Sequence, residues 1–583
     1  MPTSLAGMPD NADGYLNLGL ALTREGRHEE AAAAFRRAAA IDSGNPGLHL
    51  NLGNALAAQG KAEEALACFR KALALKPDHA GVLFNLGTQL RRMGRLDESE
   101  AAFQAAIATA PDYADAHHNL GVLYQEQKRL DAAAARYRRT LELEPGHYQA
   151  ASNLGSVLRA WKKPDEAAAL HEKLLAAHPD RPDAYVNLGH ARLDQGRYEE
   201  AQALYERAIE LNPASAATRF DVGNSLSGRH LWDEAIAQYA RALEIKPGLD
   251  DAQYNLGLAR LFRGDFGQGW PGYERRLQSA DVRAGIRKGT AALVSYERLP
   301  RWQGPAEAGV REVGIWAEQG IGDQLLMSTL IPELIGAAMP FIYEVDPRLL
   351  KAYERSFPGQ RFVPLKKTPH VDLLLASRVL LAGSLPGLFR GLREDFVRQP
   401  RALLHARPER VAHYRGRLDE LGPGLKVALS WQSKRGQVPL GPHKNAPLIQ
   451  FAPLLKRPGV HFVDAQYGDT AAERRAVQEA TGVPLQHFDQ VDYFNDLEEV
   501  LAILEACDLL VTTSNATAHL AGALGKRTWL LFLGDRPTFY YWAHREGPRS
   551  LWYPAVEIVT GRQFTEWAPL IKHVAERLAQ ERS

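Results

Sequence analysis

Eight glycines, Gly19, Gly53, Gly87, Gly121, Gly155, Gly189, Gly223 and Gly257, recur at an unbroken interval of 34 residues over nearly half the chain. A fixed period of this length requires one small unit stacked on copies of itself, because each unit buries its apolar face only against its neighbours. Leu18, Leu52, Leu86, Leu120, Leu154, Leu188, Val222 and Leu256 precede the glycines. An alanine and then an aromatic come after, as in Ala31 with Phe35, Ala65 with Phe69 and Ala201 with Tyr205. Pro77, Pro111, Pro145, Pro179, Pro213 and Pro247 close successive units. Small residues let two helices approach, large apolar ones fill the gap, and proline is tolerated where a helix stops or starts. The pattern predicts eight helix-turn-helix units over residues 12–277, the last of them atypical.

This register resembles the tetratricopeptide repeat, which implies an α-solenoid. The residue before each leucine speaks to function: Asn17, Asn51, Asn85, Asn119, Asn153, Asn187 and Asn255, with Asp221 the exception. At about 100° per residue this position points away from the stripe that packs on neighbours. Side-chain amides there can pair with the backbone of an extended peptide, since each offers donor and acceptor. Asn51, Asn85, Asn119, Asn153 and Asn187 are accordingly candidates for a groove that holds a protein acceptor. The plainer reading, compatible with the first, is that each asparagine bonds to an adjacent repeat and sets the stacking. A similar ladder lines the protein-binding groove of the O-linked N-acetylglucosamine transferases, which also join such repeats to a glycosyltransferase.

At 583 residues the chain exceeds what one core supports. Its 70 basic and 69 acidic residues nearly cancel, so no global field favours nucleic acid or an anionic membrane. Cys68 and Cys507 fall in different expected domains and read as reduced, buried thiols, which suits a cytoplasmic setting. The first residues, MPTSLAGMPDNADGY, lack a basic start and an apolar core, and no segment offers 18 uninterrupted apolar residues. Export and membrane insertion are therefore not expected.

From Gly264 to Leu277 the chain reads GDFGQGWPGYERRL, and the second helix of the eighth unit is expected to give way to a turn that docks the repeats onto the C-terminal half of the chain. Residues 278–310 read as a connector. Beyond it, apolar runs alternate with helical segments: REVGIWAE, FIYEVD, VDLLLAS, LKVALSWQ, VHFVDAQY, CDLLVTT and RTWLLFL. Strands apolar along their whole length, alternating with helices, predict parallel sheets covered on both faces. Two doubly wound halves are expected, residues 311–407 and 408–583, with the amphipathic tail Thr565 to Gln580 crossing back to close the fold.

In such sheets ligands collect at the carboxyl ends of the strands. Two loops stand out there. In EQGIGDQLLMSTLIPEL, from Glu318, Gly320 and Gly322 allow close backbone approach and unusual dihedrals, while Asp323 sits at the start of a helix. The plainer reading makes Asp323 an N-cap and the glycines a tight turn. In TTSNATAHLAGALGKRTWLLF, a helix beginning near Asn515 offers free amides with the hydroxyls of Ser514 and Thr517, an anion cradle suited to phosphate. His519, one turn further in, could add a donor; alternatively Ser514 caps the helix and His519 fills a polar gap.

The pairing of GIGD with TTSNATAHLAGALGKRTWLLF resembles the heptosyltransferase-related glycosyltransferases of the two-lobed GT-B type, built from two Rossmann-like parallel-sheet halves. With the repeats and the WPGYERR junction the resemblance extends to bacterial flagellin-modifying glycosyltransferases that carry tetratricopeptide repeats. It implies that Asp323 acts as base toward the acceptor hydroxyl. It implies that Lys444, with Lys434 and Arg435 behind it, and Ser514, Asn515, Thr517 and His519 carry the donor phosphate. Many relatives have aspartate and threonine where Ser514 and Asn515 stand, which bears on the donor's identity. No His, Cys or paired carboxylates have metal-site spacing, so protein groups are expected to balance the phosphate charge.

Three function classes are compatible with these features. The first is a cytoplasmic protein O-glycosyltransferase that takes a nucleotide sugar as co-substrate and modifies Ser or Thr of an acceptor recruited by the repeats. On the flagellin resemblance the acceptor is flagellin and the donor a CMP-linked nonulosonic acid; UDP- and GDP-linked donors stay open. The second class is a transferase for a lipid-linked or polysaccharide acceptor. The third is a non-enzymatic adaptor with a decayed transferase domain.

Overall fold

The computed structural model describes residues 11–279, 295–318, 320–435, 438–439, 445–534 and 539–580. The chain divides into two compact units, Met1–Asp221 and Val222–Ser583.

The first unit is built from helices α1 (Ala12–Arg24) to α12 (Tyr198–Leu211), alternately 13 and 14 residues long among the described residues, and α13 (Ala216–Gly228) reaches the unit boundary. The recurring glycine has one physical cause. A Cβ on Gly19 would meet the Phe35 ring at 2.5 Å, one on Gly53 the Phe69 ring at 2.5 Å, and one on Gly121 the Tyr137 ring at 2.7 Å. Each unit thus closes by laying the aromatic of its second helix on a bare backbone of its first. In the fifth unit His171 takes the aromatic's place against Gly155.

The turn between paired helices has its own period. Gly26, Gly60, Gly94 and Gly196 adopt φ of 74° to 76°, and Lys128 and Lys162, at the same register, are held at 61° and 60°. The left-handed region disfavours a side chain.

The second unit begins with the end of α13, α14 (Trp232–Ile245) and α15 (Asp250–Arg263). The expected Gly-Trp-Pro turn is a helix, α16 (Phe266–Tyr273), with Pro271 inside it. Its glycines are demanded by packing rather than by a turn: a Cβ on Gly272 would lie 2.6 Å from the Gly257 Cα, and one on Gly269 2.7 Å from Leu261. The helix does dock as expected. Trp270 Nε1 donates to the Arg390 carbonyl at 2.7 Å, and Phe266 packs on Phe396 and His544.

A four-stranded parallel sheet comes next, β1 (Val313–Trp316), β2 (Phe341–Val345), β3 (Arg361–Pro364) and β4 (Arg378–Leu381), in the order β3-β2-β1-β4. VDLLLAS is not a strand. Its first five residues form a short helix, Val371–Leu375, because only Leu373 is buried while Val371 and Leu375 are 57% and 77% exposed. The covered run falls to Val379, Leu380 and Leu381 of β4 instead.

The second sheet has seven strands: β5 (Leu425–Ser430), β6 (Val460–Asp464), β7 (Leu509–Thr513), β8 (Thr528–Leu531), β9 (Arg545–Glu546), β10 (Arg549–Ser550) and β11 (Val556–Val559). Their order is β9-β10-β11-β8-β7-β5-β6, parallel from β11 to β6 and antiparallel at the β9-β10-β11 edge. One core runs beneath both sheets, joining Val313, Ile315 and Leu326 to Ala428, Val463 and Leu510. The tail helix, Trp567–Gln580, does not cross back. Leu570, Ile571 and Val574 pack with Val427, Leu429 and Phe451 on the second sheet. Neither cysteine forms a disulfide; Cys507 is buried and Cys68 only partly so. Among the described residues no helix is long and apolar enough to cross a membrane.

Candidate functional site

Both sheets reverse direction of strand order at an identifiable place, and the conspicuous loops emerge there. In the first sheet β1 lies between β2 and β4, so the loops after β1 and β4 diverge at their carboxyl ends. Glu318 joins them, its Oε2 accepting from the Gly383 amide at 2.5 Å. The same carboxylate receives Arg276 from the end of the eighth repeat, Nε to Oε1 and Nη2 to Oε2, both at 3.0 Å. Arg276 also donates to Ser384 Oγ at 2.8 Å and to Glu274 at 2.7 Å. With Arg276 fully buried and Glu318 7% exposed, removing one partner would leave a buried charge unpaired, at a cost of about 3–5 kcal/mol. The repeat end is therefore part of the framework under the GIGD loop.

The helix after that loop, α17 (Ile321–Ser328), is capped by Gly320 with φ −65°, so Asp323 is the third residue of the helix and not its cap. Neither Gly320 nor Gly322 has a positive φ. Gly322 is needed for approach: a Cβ there would lie 2.9 Å from His519 Cδ2, whereas one on Gly320 would meet open space. Asp323 lines a cavity of about 20 Å³ with Tyr273, Glu318, Gln324, Met327 and Gly383, room for roughly one water-sized group. Burial first, and the nearby Asp323 charge second, push the phenols of Tyr540 and Tyr541 well above their ordinary pKa.

In the second sheet the reversal lies between β5 and β7, and the loop after β7 leads into α18 (Ala516–Leu524). Asn515 is the cap: its Oδ1 accepts from Ala518 N at 3.1 Å, while its Nδ2 donates to Ser430 Oγ at 2.8 Å and to the Gln432 carbonyl at 3.2 Å. Ser514 Oγ accepts from Trp542 Nε1 at 3.2 Å, and Thr517 Oγ1 lies 3.3 Å from Ser430 Oγ. His519 is 4% exposed. Its Nδ1 lies 3.2 Å from the Tyr553 hydroxyl, and its ring sits among Tyr541, Trp542 and Tyr553. Burial pushes its pKa down to about 3, so it is neutral at neutral pH.

Between the two loops lies a cavity of about 150 Å³, walled by Ile321, Arg348, Tyr467, Tyr493, Phe494 and Thr517 with their neighbours. Arg348, which comes after β2, clamps it: Nε and Nη2 donate to Asp346 at 2.8 and 2.7 Å, and Nη1 to the Phe494 carbonyl at 2.8 Å. Tyr467 comes from DAQYGD, where Gln466 Oε1 accepts from Ser430 Oγ at 3.0 Å and from the Trp431 and Gln432 amides at 2.9 Å. Arg348, Tyr493 and Phe494 carried no sequence motif. The DPR turn after an apolar strand was the available sign of Arg348.

Ile321 and Asp323 stand about 200° apart on α17, one facing the larger cavity and the other the smaller. Lys444 lies outside the described residues. Lys434–Arg435 pair with Val438–Pro439 in a two-stranded antiparallel hairpin.

Of the groove candidates, Asn85 donates to Asn54 at 3.0 Å, Asn187 to Ser152 at 2.9 Å, and Asn153 lies 3.2 Å from His118 Nε2, each reaching the preceding repeat. Asn119 donates instead to the Asp115 carbonyl of its own helix, and Asn51 is half-buried.

Family models described as tetratricopeptide repeat match residues 22–90 and 158–220, 78–145, and 118–182. The N-terminal region is a tetratricopeptide-repeat solenoid, and such repeats generally bind protein partners. Protein FlbA of Caulobacter vibrioides is 30% identical over 348 residues, covering 56% of this chain and 54% of that protein. The chain thus spans about half the length of this curated relative. Similar solved structures include a tetratricopeptide repeat protein from Parabacteroides merdae (17% identity, TM-score 0.37, 42% of this chain and 98% of that one). Another is YrrB, a TPR protein with an unusual peptide-binding site (24%, 0.28, 31% and 94%). A third is MamA from Desulfovibrio magneticus (25%, 0.27, 29% and 96%).

Proposed function

We propose that the chain is a cytoplasmic protein O-glycosyltransferase of GT-B type, with the repeats recruiting the acceptor and the sheet region transferring sugar from a nucleotide donor. The observation that supports this best is the contact of Gly322 with His519. It sets the GIGD helix of the first sheet beside the Asn515-capped helix of the second, at the carboxyl ends of both. In the step itself the acceptor hydroxyl oxygen forms a bond to the anomeric carbon as that carbon's bond to the donor phosphate breaks. The hydroxyl proton passes to the Asp323 carboxylate, and the bonding pair leaves with the nucleotide. The water-sized space at Asp323 suits a hydroxyl, and the first-turn amides of α18 suit the departing phosphate. Flagellin as acceptor and a CMP-linked sugar as donor rest on the resemblance of the fused chain to flagellin-modifying transferases.

The test is co-production with flagellin in cells that supply nucleotide sugars, followed by intact-mass measurement. A mass increase on Ser or Thr that is lost with Asp323→Asn supports the reading; unmodified flagellin counts against that acceptor. One observation favours the adaptor reading instead: Ser514, Asn515 and His519 are buried and engaged within the protein. An adaptor would capture flagellin yet bind no nucleotide.

A further inference from the structure

Asp221 breaks the amide ladder, standing where the other seven units carry asparagine. It lies on the wall of a cavity of about 340 Å³ in the first unit, with Asp183, Asn187, His190, Asn212 and Thr218. That volume is in the range of small-ligand pockets. Three of its polar neighbours already have partners. Asp183 accepts from Arg181 at 3.1 Å through both oxygens, Asn187 donates to Ser152, and Thr218 Oγ1 donates to Ser215 Oγ at 2.9 Å. Burial pushes His190 down to about 4, leaving it neutral. The Asp221 carboxylate makes no hydrogen bond or ion pair among the described residues, no Lys or Arg lines the cavity, and burial pushes it up to about 6.

An asparagine can answer both the N–H and the C=O of a peptide, but an ionised carboxylate only accepts. A half-desolvated carboxylate without a partner gains most from a cationic donor. We propose that this cavity is a subsite for a basic side chain, lysine or arginine, of the polypeptide that the repeats hold. The subsite rests on the recruitment role proposed above and deepens it by giving the acceptor segment a required charge.

The test uses the full chain and fluorescence anisotropy with three labelled peptides of glycine, serine and threonine that differ only at a central lysine, norleucine or glutamate. Wild type should bind the lysine peptide about 10-fold more tightly than the norleucine peptide, with glutamate weakest, as a charge-assisted hydrogen bond requires. Asp221→Asn, which installs the residue of the other units, should bring lysine and norleucine within about 2-fold of each other. Equal binding of the two by wild type, no saturable binding of any peptide, or discrimination that survives in Asp221→Asn would each overturn the proposal. Nucleotide-induced stabilisation is read on the same samples. Its retention alongside failed discrimination refutes the subsite alone, and its loss alongside intact discrimination refutes the transferase reading alone.

Discussion

Gly322 lies against His519 so closely that a single added carbon would stand 2.9 Å from the imidazole Cδ2. The ring cannot retreat, because Tyr541, Trp542 and Tyr553 surround it with centroids 5.0 to 5.7 Å away. Gly322→Ala should therefore push the two helices apart, costing roughly 1–3 kcal/mol as overpacking does. His519→Ala in the same chain should recover part of that loss. Chemical denaturation of the two single variants and the double variant gives the coupling; additive effects would mean the contact does not hold the loops together.

The fifth repeat carries a pH dependence. His171, packed on Gly155 where other units have Phe or Tyr, is 1% exposed, and burial pushes its pKa down to about 4. An unfolded histidine titrates near 6.5, so between those values the unfolded chain binds the proton and the folded one does not. Stability is then intact above about pH 6.5 and falls as pH drops toward 4. His171→Phe should flatten that loss. Melting temperatures of both proteins from pH 7.5 to 4.5 check it, and parallel curves would remove His171 as a cause.

Lys128 and Lys162 occupy left-handed turn positions that other repeats give to glycine, and both are exposed. Lys128→Gly and Lys162→Gly should each stabilise by about 1 kcal/mol, the strain of a side chain in that conformation less the added freedom of the unfolded chain. Urea midpoints measure this. A lower midpoint for both would show that the turn is not strained.

Asp323 is not a helix cap, so a change there separates chemistry from folding more cleanly than its position in the sequence suggests. Asp323→Asn should lower sugar transfer by about 10²- to 10⁴-fold, the range of general acid and base catalysis, while the melting temperature changes little. Transfer at near wild-type rate by the soluble variant would reduce GIGD to a structural loop.

The repeats were legible because one steric event, a ring laid on a bare backbone, recurs from Gly19 to Gly223 and forces glycine into a fixed register, with the backbone of Gly272 and Tyr273 replacing the ring at Gly257. Helix α16 was not, because GQGWPG reads as a turn by local propensity. Its glycines exist to let backbones touch, a tertiary demand that overrides propensity. VDLLL departs from the expected strand for a related reason: a run of apolar residues does not say which of them will be covered, and here only Leu373 is. At the site, the two loops and their glycines could be picked out from residue types. The aromatic cage that neutralises His519 could not, since it is assembled from residues more than twenty positions away in sequence. The same holds for Arg276, whose partner Glu318 lies 42 residues on.

On the proposed function, the cleft between the sheets takes a nucleotide. The most direct measurement is the melting temperature of the full chain with CMP, CDP, UDP and GDP over a range of concentrations. A ligand bound only by the folded protein at about 100 times its Kd stabilises by about 2.7 kcal/mol. The melting temperature should rise with the concentration of at least one of the four, and rise less in Gly322→Ala. No rise with any of them at millimolar concentration would contradict that function.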